Sequence, residues 1–339
     1  MLKPTKSHWL KLALLLGIVV PISIFIGLTD FHLVRLELSA IGFNFLTLIF
    51  STFIAYLLGT LGWWICLGDQ RSQIKIHRLF AIRQIGETVG LYNPSSIVGG
   101  DLLKATLLSS YDIPASTASE SVAVSRLTAI ISQFVLLTFA ASWLLFSRHQ
   151  HLPQWLDISL ILLIVSLVSI GILTLLLLNK KVIRKRKTSS QNVNFFKKLQ
   201  GKTFELLGQC QCFYQHRNRE FWLSFLFFLL HWIVGSFEFY LILYLTGYDV
   251  TIMQGILMDM GVVIIKSAVG FIPGQLGIEE LANQLVLLAV GIGTGSLWLT
   301  VSILRRARQL VWIAGSALLY LILPKTVKNT AFTDGSSIC

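Results

Sequence analysis

Apolar runs long enough to cross a bilayer alternate along this chain with short polar joints. Six exceed the ~18 residues that a spanning helix needs: Trp9–Leu28, Ile41–Leu67, Ser119–Phe146, Asp157–Leu178, Glu220–Thr246 and Leu297–Leu323. Two more stretches, around Arg83–Tyr111 and Ile252–Gly293, are apolar but interrupted. The first is broken at Asn93-Pro94-Ser95-Ser96 and Gly99-Gly100-Asp101, the second at Pro273-Gly274 and Gly277. Proline removes a backbone donor and kinks or ends a helix, so each interruption predicts a re-entrant hairpin or a pair of half-helices. Such backbone is tolerated at membrane depth only where protein or a polar cavity surrounds it. The pattern predicts an all-α polytopic transmembrane bundle of six clear spans plus two broken re-entrant hairpins.

Polar positions within the apolar sequence recur. Pro94 is followed by Asp101 and then Arg126; Pro273 is followed, at the same intervals, by Glu280 and then Arg305, 179 residues along. Residues 121–126 lie over 300–305 without a gap, and span 41–67 shifted by the same offset becomes 220–246. If the spans alternate in direction, the second copy runs opposite to the first. The sequence therefore predicts an inverted-topology repeat, about 41–146 and about 220–323, with a site between the copies.

The net charge of +12 does not change this picture, because its distribution follows membrane topology. Of 28 Lys and Arg, 11 fall in the loop 179–219, and the N-terminus, loop 68–83 and the tail carry most others. Connections 29–40, 147–156 and 247–251 hold only Arg35 and Arg148. Positive-inside bias then predicts cytoplasmic N- and C-termini and a multi-pass protein of the cell (inner, cytoplasmic) membrane. The first span follows a basic leader with no clear small-x-small cleavage site and reads as an uncleaved anchor. One transmembrane domain, 1–323, and a short tail, 324–339, are expected. Basic clusters such as Arg184–Lys187 suit an anionic leaflet, and nucleic acid is not an expected partner.

Thirteen ionisable residues lie inside the apolar stretches: Lys104, Arg126, Lys266, Arg305, Arg306 and Arg308 against Glu87, Asp101, Glu120, Glu238, Asp259, Glu279 and Glu280. Charged groups in spans usually face a cavity, a pathway or one another. Asp101–Arg126 and Glu280–Arg305 read either as buried pairs fixing the hairpins or as the lining of a polar cavity; their duplication favours the cavity. Guanidinium groups hold phosphate by paired hydrogen bonds, and Arg305 and Arg308, at i and i+3, share a helix face. A half-helix starting after either break directs free N–H groups toward anions. Asp101, Lys104, Arg126, Glu279, Glu280, Arg305, Arg306 and Arg308 are the candidate substrate-binding residues. Asn93, Pro94, Gly99, Gly100, Pro273, Gly274 and Gly277 would shape the breaks. Gly86-x-x-x-Gly90 and Gly270-x-x-x-Gly274 allow close helix contact.

No catalytic constellation accompanies these residues: H-E-x-x-H, G-x-S-x-G and a Walker loop are all missing. Cys210-x-Cys212 matches neither a redox pair nor a zinc set. No enzyme activity, cofactor or metal is expected.

The run Gly90-Leu-Tyr-Asn-Pro-Ser-Ser-Ile-Val-Gly-Gly-Asp101, the following Ser125-Arg126, Phe271-Ile-Pro-Gly-Gln-Leu-Gly-Ile-Glu-Glu280 and an Arg-bearing last helix resemble the lysylphosphatidylglycerol synthase transmembrane region. That flippase-like domain stands at the N-terminus of multiple peptide resistance factor proteins and alone in many membrane proteins. The resemblance implies binding and translocation of an anionic or aminoacylated phospholipid, or a related amphiphilic lipid, between leaflets. It also implies that the synthase half is not part of this chain. Ser95-Ser96 stand where relatives often have Gly, and Lys104 where Arg is common. The alternative is a non-transporting membrane partner of a separately encoded glycosyltransferase or lipid synthase, docked by the basic loop. Membrane lipids are the expected partners, and a homo-oligomer is compatible with either reading.

Overall fold

The computed structural model describes residues 23, 26, 27, 29, 31–92, 96–147, 154–179, 207–268, 277–292 and 297–322. Asn93, Pro94, Pro273, Gly274, most of Trp9–Leu28, the basic run Arg184–Lys187 and the tail 324–339 lie outside the described residues. Among the described residues every regular element is helical and none is a strand. The order is α1 (Phe31–Ile41), a 3₁₀ turn (Gly42–Asn44), α2 (Phe45–Cys66), a 3₁₀ turn (Gly68–Gln73), α3 (Ile76–Tyr92), α4 (Ser96–Ser109) and α5 (Ala115–Ser147). There follow α6 (Gln154–Asn179), α7 (207–216), α8 (Asn218–Leu245), α9 (Ile252–Ala268), α10 (Ile278–Ala289) and α11 (Leu297–Ile322).

Local chemistry sets the helix ends. Thr251 and Gln254 form a capping box before α9: the Thr251 N–H donates to Gln254 Oε1 at 2.8 Å, and the Gln254 N–H donates to Thr251 Oγ1 at 3.3 Å. Gly247, at φ 86°, and Gly291, at φ 79°, close α8 and α10 in left-handed turns. In both turns the next residue bonds back into the helix, Tyr248 to the Leu243 carbonyl and Ile292 to that of Leu287.

Among the described residues, four stretches are long and apolar enough to cross a membrane: Phe31–Cys66, Ala115–Phe146, Ile158–Asn179 and Asn218–Leu245. The first begins ten residues before the expected span, so sequence assigned to the connection 29–40 is largely helix. The expected last span is the 26-residue helix α11, but Arg305, Arg306 and Arg308 keep it below the apolarity of the other four. α6 shows the plainest bilayer character, with Ile161, Leu162, Val165, Leu173 and Leu176 all exposed. An aqueous protein would bury such side chains, whereas lipid solvates them.

The chain divides into two compact units. The first comprises the described residues of 23–54, 80–104 and 233–322. Its core gathers Leu48, Phe239, Ile242, Val262, Ala282, Leu287, Val301 and Leu304 from α2, α8, α9, α10 and α11. One face of α11 is polar and bonds a different element at each step. Ser302 accepts from Asn283 Nδ2 at 2.9 Å, Trp312 Nε1 donates to Thr52 Oγ1 at 3.0 Å, and Ser316 bonds Thr88 at 2.9 Å. Without an apolar driving force between spans, such hydrogen bonds hold helices together at about 1 kcal/mol each.

The second unit comprises the described residues of 55–79 and 105–232. Small polar groups join its helices in the same way. Ser224 on α8 contacts Cys66 on α2 at 3.2 Å and Thr128 on α5 at 3.0 Å. Trp63 Nε1 donates to Ser121 Oγ at 3.2 Å, and Trp232 Nε1 to the Ala129 carbonyl at 3.0 Å. His231 Nδ1 contacts the Ala55 carbonyl at 2.6 Å, a structural bond rather than a ligand site.

Candidate functional site

The two interrupted stretches fold as helix pairs, and the residues through which each pair meets lie in the first unit. In the first hairpin, α3 and α4 meet at Gly86, Gly90 and Gly100. A Cβ built on Gly100 would lie 2.4 Å from the Gly86 carbonyl oxygen and 2.8 Å from the Gly90 Cα, so only hydrogen fits. The close contact allowed by Gly86-x-x-x-Gly90 is therefore used within the hairpin itself. Lys104 lies over Gly86 and reaches Glu87 Oε1 at 2.5 Å and Asp101 Oδ1 at 3.1 Å. Gly99 occupies the same helix, next to Gly100.

The second hairpin joins α9 to α10. Gly277 precedes α10 in the left-handed region, at φ 76°, where a side chain would be strained. Glu279 and Glu280 follow in the first turn, where the positive end of the helix dipole suits carboxylates. Lys266 near the end of α9 donates to Glu279 Oε2 at 3.0 Å. Each hairpin is thus crossed by one lysine–glutamate bond.

The second hairpin packs on α11, whose arginines are neutralised one by one. Arg305, only 4% exposed, donates through Nε to Glu279 Oε1 at 3.0 Å and through Nη1 to Asp259 Oδ1 at 2.9 Å. Its guanidinium carbon also lies 5.3 Å from the centre of the Phe239 ring. Gln309 Nε2 donates to Glu279 Oε2 at 2.7 Å, and Ser236 Oγ to Asp259 Oδ2 at 3.0 Å. Arg308 Nε stands 2.6 Å from Oε1 of Glu238, a residue 2% exposed. Arg306 pairs with Glu280. Four cations (Lys266, Arg305, Arg306, Arg308) therefore meet four carboxylates (Glu238, Asp259, Glu279, Glu280).

Four of the eight expected site residues (Glu279, Glu280, Arg305, Arg306) come together on α10 and α11, and Arg308 joins them through Glu238. The pairing differs from the expected Glu280–Arg305, because successive residues on a helix point about 100° apart. Adjacent residues on α10 thus meet adjacent residues on α11, 279 with 305 and 280 with 306. Asp101 is paired with Lys104, and Arg126 lies half-buried on α5 in the second unit. Asn93, Pro94, Pro273 and Gly274 fall outside the described residues.

Glu87, Glu238, Asp259, Lys266 and Gln309 belong to these networks although they are not among the candidate substrate-binding residues. The signal for four of them is charge inside an apolar run. The repeat hid Glu238 and Asp259, whose counterparts at the 179-residue offset are Gly59 and Phe80. Lys266 does have a charged counterpart, Glu87, but of opposite sign.

Paired charges at this burial hold helices in register, and losing one partner leaves the other charge uncompensated. The same groups, once parted, offer several forked donors to an oxyanion. No group of three or more His, Cys, Asp or Glu able to hold a metal occurs among the described residues.

No curated protein and no solved structure matches the chain. Its long apolar helices mark a multi-pass membrane protein. With residues 9–319 matched by the family model of the lysylphosphatidylglycerol synthase TM region, the chain belongs to that family.

Proposed function

We propose that this protein binds an anionic or aminoacylated phospholipid, or a related amphiphilic lipid, and moves it between membrane leaflets. The family is one of membrane lipid chemistry. The observation that carries the reading is the concentration of Arg305, Arg306 and Arg308 within one turn of α11, inside the apolar unit. Arginine in a span is costly and is retained where a pathway or ligand needs it. On this reading residues 1–323 act as one transmembrane domain of the cell membrane with cytoplasmic termini. The repeats run in opposite directions, and Arg126 is the first-half counterpart of Arg305. The protein itself forms no covalent bond with the lipid; it supplies donors that replace headgroup hydration while the acyl chains stay in the bilayer.

The test is transbilayer movement of fluorescent phosphatidylglycerol in liposomes carrying the purified protein, followed by quenching of the outer-leaflet probe. Wild type should exceed protein-free liposomes. The doubly neutral Asp259→Asn/Arg305→Gln variant, which leaves Glu279 paired with Lys266, should fall toward the protein-free rate. Movement by wild type no faster than in protein-free liposomes sinks the proposal.

A further inference from the structure

Within the cluster, the Arg306–Glu280 pair differs from its neighbours. Arg305 and its two carboxylates have side chains 5–8% exposed, and Arg308–Glu238 has 10% and 3%, whereas Arg306 and Glu280 have 17% and 18%. Parting Arg305 from Glu279 and Asp259 would strand buried charge, a severe penalty. Parting Arg308 from Glu238 would do the same. Glu280 instead contacts Arg306 through Oε1, while its buried Oε2 has no hydrogen-bond partner. One oxygen of this carboxylate is already unsatisfied, and the greater exposure of both partners makes this the pair that parts with the least stranded charge.

Glu280 sits in the first turn of α10, three residues after the left-handed Gly277. Asn283, one turn along and fully buried, also presents an unpartnered Oδ1. Its amide nitrogen is committed to Ser302 Oγ, and that hydroxyl donates to the Trp298 carbonyl at 2.7 Å. Two unsatisfied acceptors therefore lie at i and i+3 on α10, close to the pair that is most accessible.

We propose that Arg306 is the arginine that receives the headgroup phosphate, and that Glu280 is an internal stand-in which the phosphate displaces from it. This rests on the lipid-binding reading above and assigns the exchange within it to one pair. A phosphodiester offers the guanidinium two oxygens side by side, where Glu280 supplies one. The rest of the cluster stays closed and holds α9, α10 and α11 in place while the exchange occurs. Glu280 acts as an autoinhibitory contact, so its loss should strengthen binding rather than weaken it.

The experiment titrates the detergent-purified full chain with short-chain phosphatidylglycerol, reading intrinsic tryptophan fluorescence and monitoring folding by thermal denaturation. Glu280→Gln should bind the probe about tenfold tighter than wild type. Arg306→Gln should bind about tenfold weaker, and the double variant should be as weak as Arg306→Gln. Arg306→Lys, which keeps the charge but loses the fork, should fall between wild type and Arg306→Gln, and it serves if Arg306→Gln does not fold. Wild-type binding that is unchanged or weakened by Glu280→Gln overturns the exchange while leaving the lipid reading intact. Binding indifferent to Arg306→Gln, or to Arg306→Lys in its place, removes Arg306 as the receiver. No saturable binding by wild type or Glu280→Gln overturns both readings.

Discussion

Glu87 and Lys266 hold equivalent positions 179 residues apart, and each is bonded across its own helical hairpin to a residue of opposite charge. Glu87 accepts from Lys104 at 2.5 Å, and Lys266 donates to Glu279 at 3.0 Å. The acid stands on the first arm of one hairpin and on the second arm of the other. Their partners do not correspond in the same way: at that offset Lys104 lies over Asn283 and Glu279 over Gly100, so each hairpin has its bond from a differently placed partner. Lys104→Met should therefore lower the thermal midpoint in detergent, and by more than Glu87→Gln. The lysine is the more buried partner, holds Asp101 as well, and covers Gly86. The exchange Lys266→Glu/Glu279→Lys should not restore stability, since Glu279 is also the acceptor for Arg305 and Gln309. Recovery to the wild-type midpoint in that swap would show that the hairpin bond acts alone.

Arg305 is the centre of the cluster, and its removal strands Asp259 and Glu279. Arg305→Gln should cost about 3–5 kcal/mol, the usual range when one partner of a buried pair is lost. Adding Asp259→Asn should return a large part of it, because Glu279 keeps Lys266 and Gln309. A double-mutant cycle from denaturation in detergent measures this. Strict additivity of the two single losses would show that the charges do not compensate each other.

Gly100 tests how tightly α3 and α4 are pressed together. Gly100→Ala places a methyl group against backbone, which cannot yield as a flexible side chain does. The expected loss is about 1–3 kcal/mol, typical of overpacking. Gly171→Ala on α6, where a Cβ meets nothing within 4 Å, is the control and should leave the midpoint unchanged.

A pH dependence follows from Asp69, in the turn between α2 and α3. The hydrogen bond and charge of Arg217 hold its carboxyl below the usual aspartate range. A lowered folded value means that the contribution is complete above the ordinary aspartate value of ~4 and disappears as pH falls through the lower, folded value. The difference in midpoint between wild type and Asp69→Asn should therefore be constant from neutral pH to about 5 and vanish in stronger acid. The carboxylate is exposed, so the difference should be small and should shrink with added salt. A difference that grows on acidification would contradict this assignment.

The helices were legible in sequence because apolar run length is a direct physical requirement of a bilayer. Ser119–Phe146 and Glu220–Thr246 reappear nearly residue for residue as Ala115–Phe146 and Asn218–Leu245. The start at Phe31 was less visible, because Arg35 and Glu37 interrupt the apolar signal. In the helix, Glu37 is instead bonded by Thr300 at 3.0 Å. Each interrupted stretch carries one helix on either side of its break, as the local effect of Pro and Gly predicts. The partners of the charges were not legible. Whether Arg305 meets Glu279 or Glu280 depends on helix rotation, and the participation of Glu238 and Asp259 depends on which helices pack together. Neither property is local, and the repeat, which aligns only what was duplicated, passed over both.

The balance of four cations and four carboxylates around α11 also bears on electrical work. A transmembrane potential acts on net charge moved through it, at ~2.3 kcal/mol per elementary charge per 100 mV. A body carrying Lys266, Arg305, Arg306 and Arg308 together with Glu238, Asp259, Glu279 and Glu280 moves through that field as a neutral object. The voltage does work only when a pair separates or when a charged ligand replaces one member. Any voltage dependence of lipid movement would then report the charge of the cargo and the parting of a pair, with the rest of the cluster contributing nothing.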